Sequence, residues 1–285
     1  MIENYPELYN TLIKDSTDFS VSELGEINID GTVYLGHTPI TTLPDNLTVN
    51  GSLHLRLSAI TTLPDNLTVN RSLHLNHTSI SNLPDNLTVN GGLYLNHTSI
   101  STLPDNLTVN GSLDLSHTSI STLPDNLTVN GSLDLSHTSI STLPDNLTVN
   151  RSLHLNHTSI SNLPDNLTVN GGLYLSNTPI TTLPDNLTVN GSLDLSNTPI
   201  TTLPENLTTD SLYLDPELLK LPYAKSQGEE RRTIFAVKVN GIHAISAGCF
   251  LGSIEEFCKR VDEKYHKSTL GEEYKATATR LISEI

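Results

Sequence analysis

Six aliphatic positions return with a period of 20 along most of the chain. In one unit they are Leu113, Leu115, Ile120, Leu123, Leu127 and Val129, and the next unit starts at Leu133. Leu113 and Leu115 flank Asp114 at a spacing of two, which predicts a short strand with the aspartate facing out. Leu123-Pro124-Asp125-Asn126 predicts a turn, because proline presets φ. Asn130-Gly131 predicts a second turn, although Arg71 and Arg151 stand at the glycine position in two units. The register holds from Val33 to Leu203 and then loses one residue, so that Leu212-Tyr213-Leu214 closes a series of ten strand segments.

One such unit cannot fold alone, since ordering 20 backbones costs more than burying six aliphatic side chains returns. Stacked units share a core and hydrogen-bond to one another, so the period predicts a solenoid over residues 25–215. Its ends need covers. Residues 1–24 offer a helical cap, with Tyr5, Leu8, Tyr9, Leu12 and Ile13 at helical spacing. Beyond Pro216 the repeat vanishes: 216–230 reads as a linker or cover for the last coil, and 231–285 as a small module. There Arg232 to Val239 alternates, Asn240-Gly241 marks a tight hairpin before Ile242 to Ala247, and Ser253 with Glu256 forms a capping box. A second helix follows from Ser268, giving the order ββαα. The expected fold class is an α/β repeat: about ten short parallel strands in a solenoid, a helical N-terminal cap and a ββαα C-terminal module.

The series Leu113-x-Leu115-x-x-Thr118-x-Ile120-x-x-Leu123-Pro124 resembles the leucine-rich-repeat pattern in its short, 20-residue bacterial form, over about two-thirds of the chain. The family usually carries Asn where Thr118 stands; a hydroxyl there keeps a group able to bond exposed backbone between coils. The resemblance implies a leucine-rich-repeat solenoid but no particular function, because the fold hosts many partners. The version with Thr and Leu-Pro-Asp-Asn-Leu-Thr-Val is also similar to arrays of bacteriophage and bacterial mobile-element genes. That similarity implies an inhibitor of a host defence protein. Secreted effectors with similar repeats can carry a ubiquitin-ligase domain, for which the roughly 55 residues of the module are too few.

Stacking turns each register position into a row with neighbours about 4.8 Å apart. The outward strand residues are Tyr34, His54, His74, Tyr94, Asp114, Asp134, His154, Tyr174, Asp194 and Tyr213, and the array has no tyrosine elsewhere. The row draws on only three residue types, Tyr, His and Asp. Tyr and His present wide contact area with a polar tip, so the row predicts a partner-binding concave face. Residues 71–115 nearly match 151–195, so His74-Tyr94-Asp114 recurs as His154-Tyr174-Asp194.

A second row holds His37, His77, His97, His117, His137 and His157, interrupted by Leu57 and continued by Asn177 and Asn197. Metal could be imagined between His74 and His77 or His154 and His157, but ladder ligands do not converge and no Cys joins them; no metal and no cofactor are expected. A third row is Asp45, Asp65, Asp85, Asp105, Asp125, Asp145, Asp165, Asp185 and Glu205. Aspartate after proline is turn chemistry, yet nine like charges in a line also suggest an acidic nucleic-acid mimic lying in a basic DNA-binding cleft. Calcium between coils is disfavoured, since each coil offers one carboxylate.

Charge sharpens the partner. Residues 25–215 carry 16 acidic side chains against Arg56, Arg71 and Arg151 and no Lys, a balance of −13, whereas 216–285 balance at +1. Direct nucleic-acid binding needs Lys and Arg, so a protein partner with a basic surface is expected. The start Met1-Ile2-Glu3-Asn4-Tyr5-Pro6 has no leader pattern and no run reaches membrane-spanning length, so the expectation is a cytoplasmic chain without membrane contact. Cys249 and Cys258 imply no disulfide framework. Cys249 with His243 suggests a thiol nucleophile, but no orienting residue accompanies them, and the expectation is no enzyme. The module is left to seal the last coil, dock a partner or form a homodimer. An effector with an enzymatic module ranks third, behind a protein-binding scaffold and nucleic-acid mimicry.

Overall fold

The computed structural model describes residues 2–285 except 146, 166, 186, 226–232 and 267. The Leu-x-Leu segments pair in parallel and in register, from Val33–Tyr34 against Leu53–His54 through to Asp194 against Tyr213. Asp114 therefore lies beside both Tyr94 and Asp134, and His154 beside Asp134 and Tyr174. Every coil adds to this ladder, so the outward residues form one continuous row.

A second parallel ladder runs along the Thr-Val segments, from Ile27–Ile29 and Leu47–Val49 to Thr188 against Thr208. The sequence predicts one strand per coil, and the second is a finding. Thr128–Val129 is only two residues long; Leu127 and Val129 are buried on either side of exposed Thr128, an alternation too short to read as a strand until it pairs with Thr108–Val109. Just beyond it the Asn130 side chain donates to Asn110, one link in a column of side-chain amides that starts on Asp30 and Asn50.

The six aliphatic positions of the unit fill the space between the ladders: Leu113, Leu115 and Ile120 are fully buried, and Leu123, Leu127 and Val129 nearly so. Thr118 is buried too, but it acts otherwise than expected. Its hydroxyl donates to the Leu115 carbonyl at 2.6 Å, within its own coil, and its counterparts from Thr38 to Thr198 do the same. The hydroxyl reaches only three residues back, so it closes the corner of one coil instead of bridging two. The next residue back, at the His117 position, has a positive φ of 56°. That left-handed corner explains the second row: His and Asn tolerate it best among residues with a Cβ.

Among the described residues the array contains no helix; α1 (Pro6–Lys14), α2 (Ile254–Tyr265) and α3 (Thr269–Ile282) lie outside it. At the first coil, α1 buries Leu8 and Leu12 in the array's core, while Ile13, expected on the same face, is 57% exposed. Phe19–Val21 then pairs antiparallel with Ile27–Ile29 and closes the edge of the second ladder.

At the other end stands a four-stranded antiparallel sheet, Tyr223–Lys225, Thr233–Val239, Ile242–Ala247 and Phe250–Gly252. The order is ββββαα instead of ββαα, because an outer three-residue strand flanks each side of the predicted hairpin; such short edges show no readable alternation. The expected strand start at Arg232 lies outside the described residues. Phe235, Val237 and Val239 pack into the array's core, while Ile234 and Ala236 face Phe257, Val261, Tyr274 and Leu281 of the helices. The module thus closes the last coil. Asn240 holds the Thr209 backbone through both amide atoms, and the Ser246 hydroxyl donates to the Leu212 carbonyl at 3.0 Å. No helix of the described residues is long and apolar enough to cross a membrane.

Candidate functional site

The outward row of the Leu-x-Leu ladder is a broken stack of rings. Tyr34, His54, His74 and Tyr94 lie face to face with centroids 4.7, 4.3 and 4.6 Å apart and planes within 14°. Asp114 and Asp134 interrupt them. His154 and Tyr174 resume at 4.5 Å and 9°, Asp194 interrupts again, and Tyr213 ends the row. Parallel in-register pairing forces this geometry, since successive side chains leave adjacent strands in one direction about 4.8 Å apart.

Burial and neighbours tune the row. Partial desolvation holds His54 below the ordinary imidazole range, and burial followed by the charge of His54 does the same for His74. The Asp114 carboxyl is pushed up, first by burial, with the Asp134 charge adding to it and the bonds from Ser116 opposing. Asp114 Oδ1 accepts from both the backbone N–H and the hydroxyl of Ser116, Asp134 Oδ1 accepts the same pair from Ser136, and Asp194 Oδ1 accepts the Ser196 N–H. In each case no described hydrogen bond reaches Oδ2. The described ion pairs join Lys275 to Asp262 and Glu272, and Arg280 to Glu284, all in the C-terminal module. None serves the array's carboxylates.

Two kinds of supporting residue were not singled out from the sequence. A Cβ on Gly92 would come within 2.9 Å of the Tyr94 ring, and one on Gly172 within 2.8 Å of the Tyr174 ring. These tyrosines fold back over glycine where most coils have Ser. Tyr34, which follows Thr32, is 61% exposed. The serines that hold Asp114, Asp134 and Asp194 are the second kind. The signal for both was present, as Gly-x-Tyr in two coils and Asp-Leu-Ser in three.

The corner histidines form a second stack, His77 through His157, with centroids 4.3 to 4.5 Å apart. Partial desolvation, then the neighbouring imidazoles, hold His97 and His137 below the usual range, with Asp114 and Asp134 opposing. Imidazole lone pairs lie in the ring plane, so parallel stacked rings do not aim at a common ion. Among the described residues no three metal-ligating side chains gather at one point.

The third row, Asp45 to Glu205, is exposed throughout. Asp125 borders a shallow groove with Asn126, Thr128, Asn130, Thr148 and Asn150, on the side of the second ladder. The acidic row and the ring row therefore belong to different ladders. In the module, His243 and Cys249 lie at opposite ends of Ile242–Ala247, where His243 pairs with Lys238 and Ala247 with Ile234, so they form no dyad. The Cys258 thiol is pushed up by burial, which disfavours the thiolate.

No family model matches the chain, and no curated protein matches it in sequence. Among solved structures it is similar to YopM, a leucine-rich effector protein from Yersinia pestis, with 16% identity over 74% of this chain and 72% of that one at a TM-score of 0.39. It is similar to a Shigella effector LRR domain with 19% identity over 76% and 79% at a TM-score of 0.31. A leucine-rich-repeat protein of Leptospira interrogans shares 18% identity over 64% and 78% at 0.26. All three are bacterial leucine-rich-repeat proteins. At such TM-scores they supply no function for this chain, whose solenoid stands on its own two ladders.

Proposed function

We propose that this chain is a non-enzymatic protein-binding scaffold that grips its partner with the outward row Tyr34 to Tyr213. One observation carries the reading: every tyrosine of the array falls on the outward row, where parallel pairing stacks Tyr34, Tyr94 and Tyr174 face to face with histidines beside the carboxylates of Asp114, Asp134 and Asp194. Large rings held in place lose little conformational freedom on binding, which suits them to an interface. A basic partner fits the surplus of 16 acidic side chains over three Arg in the array. The finer reading, a phage-encoded inhibitor of a host defence protein in the cytoplasm, rests on the sequence resemblance alone.

The test is affinity capture from the native host followed by mass spectrometry, with the full chain and with Tyr94→Ala/Tyr174→Ala. A partner retained by the first and lost by the second supports the reading; equal capture by both overturns it. The rival, nucleic-acid mimicry, draws on the nine exposed carboxylates Asp45 to Glu205, none in a described ion pair. Changing that row to Asn separates the two: capture survives if the ring row binds and is lost if the acidic row does.

A further inference from the structure

The ring stacks end beside carboxylates. Tyr94 has His74 against one face at 4.6 Å, and on its other side the adjacent strand carries Asp114. Tyr174 repeats the arrangement, with His154 at 4.5 Å on one face and Asp194 on the adjacent strand beyond the other. Aspartate is much shorter than the rings it replaces. Each interruption is therefore a notch with a carboxylate floor and a tyrosine wall. The first is two coils wide, floored by Asp114 and Asp134 and bounded beyond them by His154. The second is one coil wide, floored by Asp194 and bounded by Tyr213.

The notches are set before any ligand arrives. Gly92 and Gly172 leave room for their tyrosines to lie back against the sheet, and a Cβ at either would meet the ring at under 3.0 Å. The serine two residues on fixes one oxygen of each aspartate and leaves Oδ2 without a described hydrogen bond. Rows two strand spacings apart lie about 10 Å from one another, so a cation midway between the Tyr174 and Tyr213 positions would sit about 5 Å from each, inside the roughly 6 Å reach of a cation–π contact. A planar guanidinium combines stacking on tyrosine with a charge-assisted hydrogen bond to the remaining Oδ2, which a spherical metal ion cannot do.

We propose that the two notches, Tyr94–Asp114–Asp134 and Tyr174–Asp194–Tyr213, are paired arginine-binding sites, and that the occupant of the ring face is an extended protein segment carrying two arginines. This deepens the scaffold reading and rests on it. Asp114 and Asp194 are four coils apart, about 19 Å, which an extended chain spans in about six residues at roughly 3.3 Å each. The expected partner motif is Arg at positions i and i+6. The internal duplication of 71–115 as 151–195 then has a binding consequence: a doubled site for a doubled ligand.

The experiment uses the full chain and three fluorescein-labelled Gly/Ser peptides followed by anisotropy at low salt. One carries Arg at i and i+6, one a single Arg, and one citrulline, the neutral isostere, at both positions. The two-arginine peptide should bind at least about tenfold tighter than the single one, as linked sites do, and the citrulline peptide should not bind. Asp194→Asn, and Asp114→Asn combined with Asp134→Asn, should each bring the two-arginine peptide down to the level of the single one. Asp18→Asn, which removes the same charge from the N-terminal cap, should change nothing. Circular dichroism melts confirm that each variant folds. Equal binding of the arginine and citrulline peptides, or equal loss with Asp18→Asn, overturns the proposal. If the peptides fail while a tyrosine-dependent native partner is still captured, the notch chemistry is wrong and the scaffold reading stands; loss of both removes both.

Discussion

The array and the C-terminal module solve the same problem, burial of an aliphatic core, in opposite ways. In the array each coil meets a near copy of itself: identical side chains stack, hydrogen bonds run from coil to coil, and 16 acidic groups stand against three arginines without a described ion pair. In the module no two contacts are alike. One sheet is buried on both faces, a capping box starts α2, and Lys275 bridges Asp262 and Glu272, which raise its ammonium pKa. The contrast teaches where each kind of information resides. A repeat can tolerate drift in its outward row because its stability comes from the other positions, and that row becomes free to specialise. The module has no such spare surface at its junction, since Phe235, Val237 and Val239 are committed to the last coil.

The contrast can be broken most severely at the junction. Phe235→Ala removes a ring that is 4% exposed between sheet and array, and should cost about 3–5 kcal/mol. Hydrogen exchange should then open the last coils first and leave the middle of the array protected; uniform loss of protection would mean that array and module unfold as one. Leu135→Ala, at a fully buried mid-array position, should cost about 2–5 kcal/mol and open the array from its centre outward, read by the same measurement.

Gly92→Ser tests the outward row itself. The added Cβ meets the Tyr94 ring, and such overpacking costs about 1–3 kcal/mol if the ring stays in place. A ring that swings out instead should leave stability unchanged and raise tyrosine accessibility in nitration assays, at the expense of partner capture. Protonation should act on the array. His97 and His137 are held below their unfolded value, so the folded state binds fewer protons than the unfolded one. Their contribution is complete above the ordinary histidine value of about 6.5 and is lost as pH falls through it towards the lowered folded value. The melting midpoint should therefore drop between roughly pH 7.5 and 5.5, and His97→Asn/His137→Asn should flatten the slope.

The smallest effect is a gain. Leu57 occupies the left-handed corner at φ 57° and is 42% exposed, so Leu57→Asn should add up to about 1 kcal/mol, seen as a higher melting midpoint. No gain would show that its packing offsets the backbone strain.

The members of the ring row could be read from the sequence, because a strand of alternating residues fixes which side chain faces out once the period is known. Their supports could not. Gly92 takes its role from the Tyr94 ring that lies over it, and Ser116 from its bonds to Asp114, and neither contact follows from the spacing of residues along the chain. The corner histidines illustrate the same limit. Their recurrence suggested an exposed polar row, but the reason for it is a backbone dihedral that only coil closure imposes.

What the sequence determined by itself was the 20-residue period, the six buried positions and the outward alphabet, since these follow from spacing and side-chain polarity. The tertiary structure alone decided the second ladder, the target of the Thr118 hydroxyl and the seating of the module on the last coil. Thr128 and Val129 favour extended backbone, but two residues make no strand until a neighbouring coil pairs with them, and hydrogen bonds between coils exist only after distant segments have been brought side by side. Local pattern records what a residue must bury; the partner it is buried against is set by the closure of the chain around it.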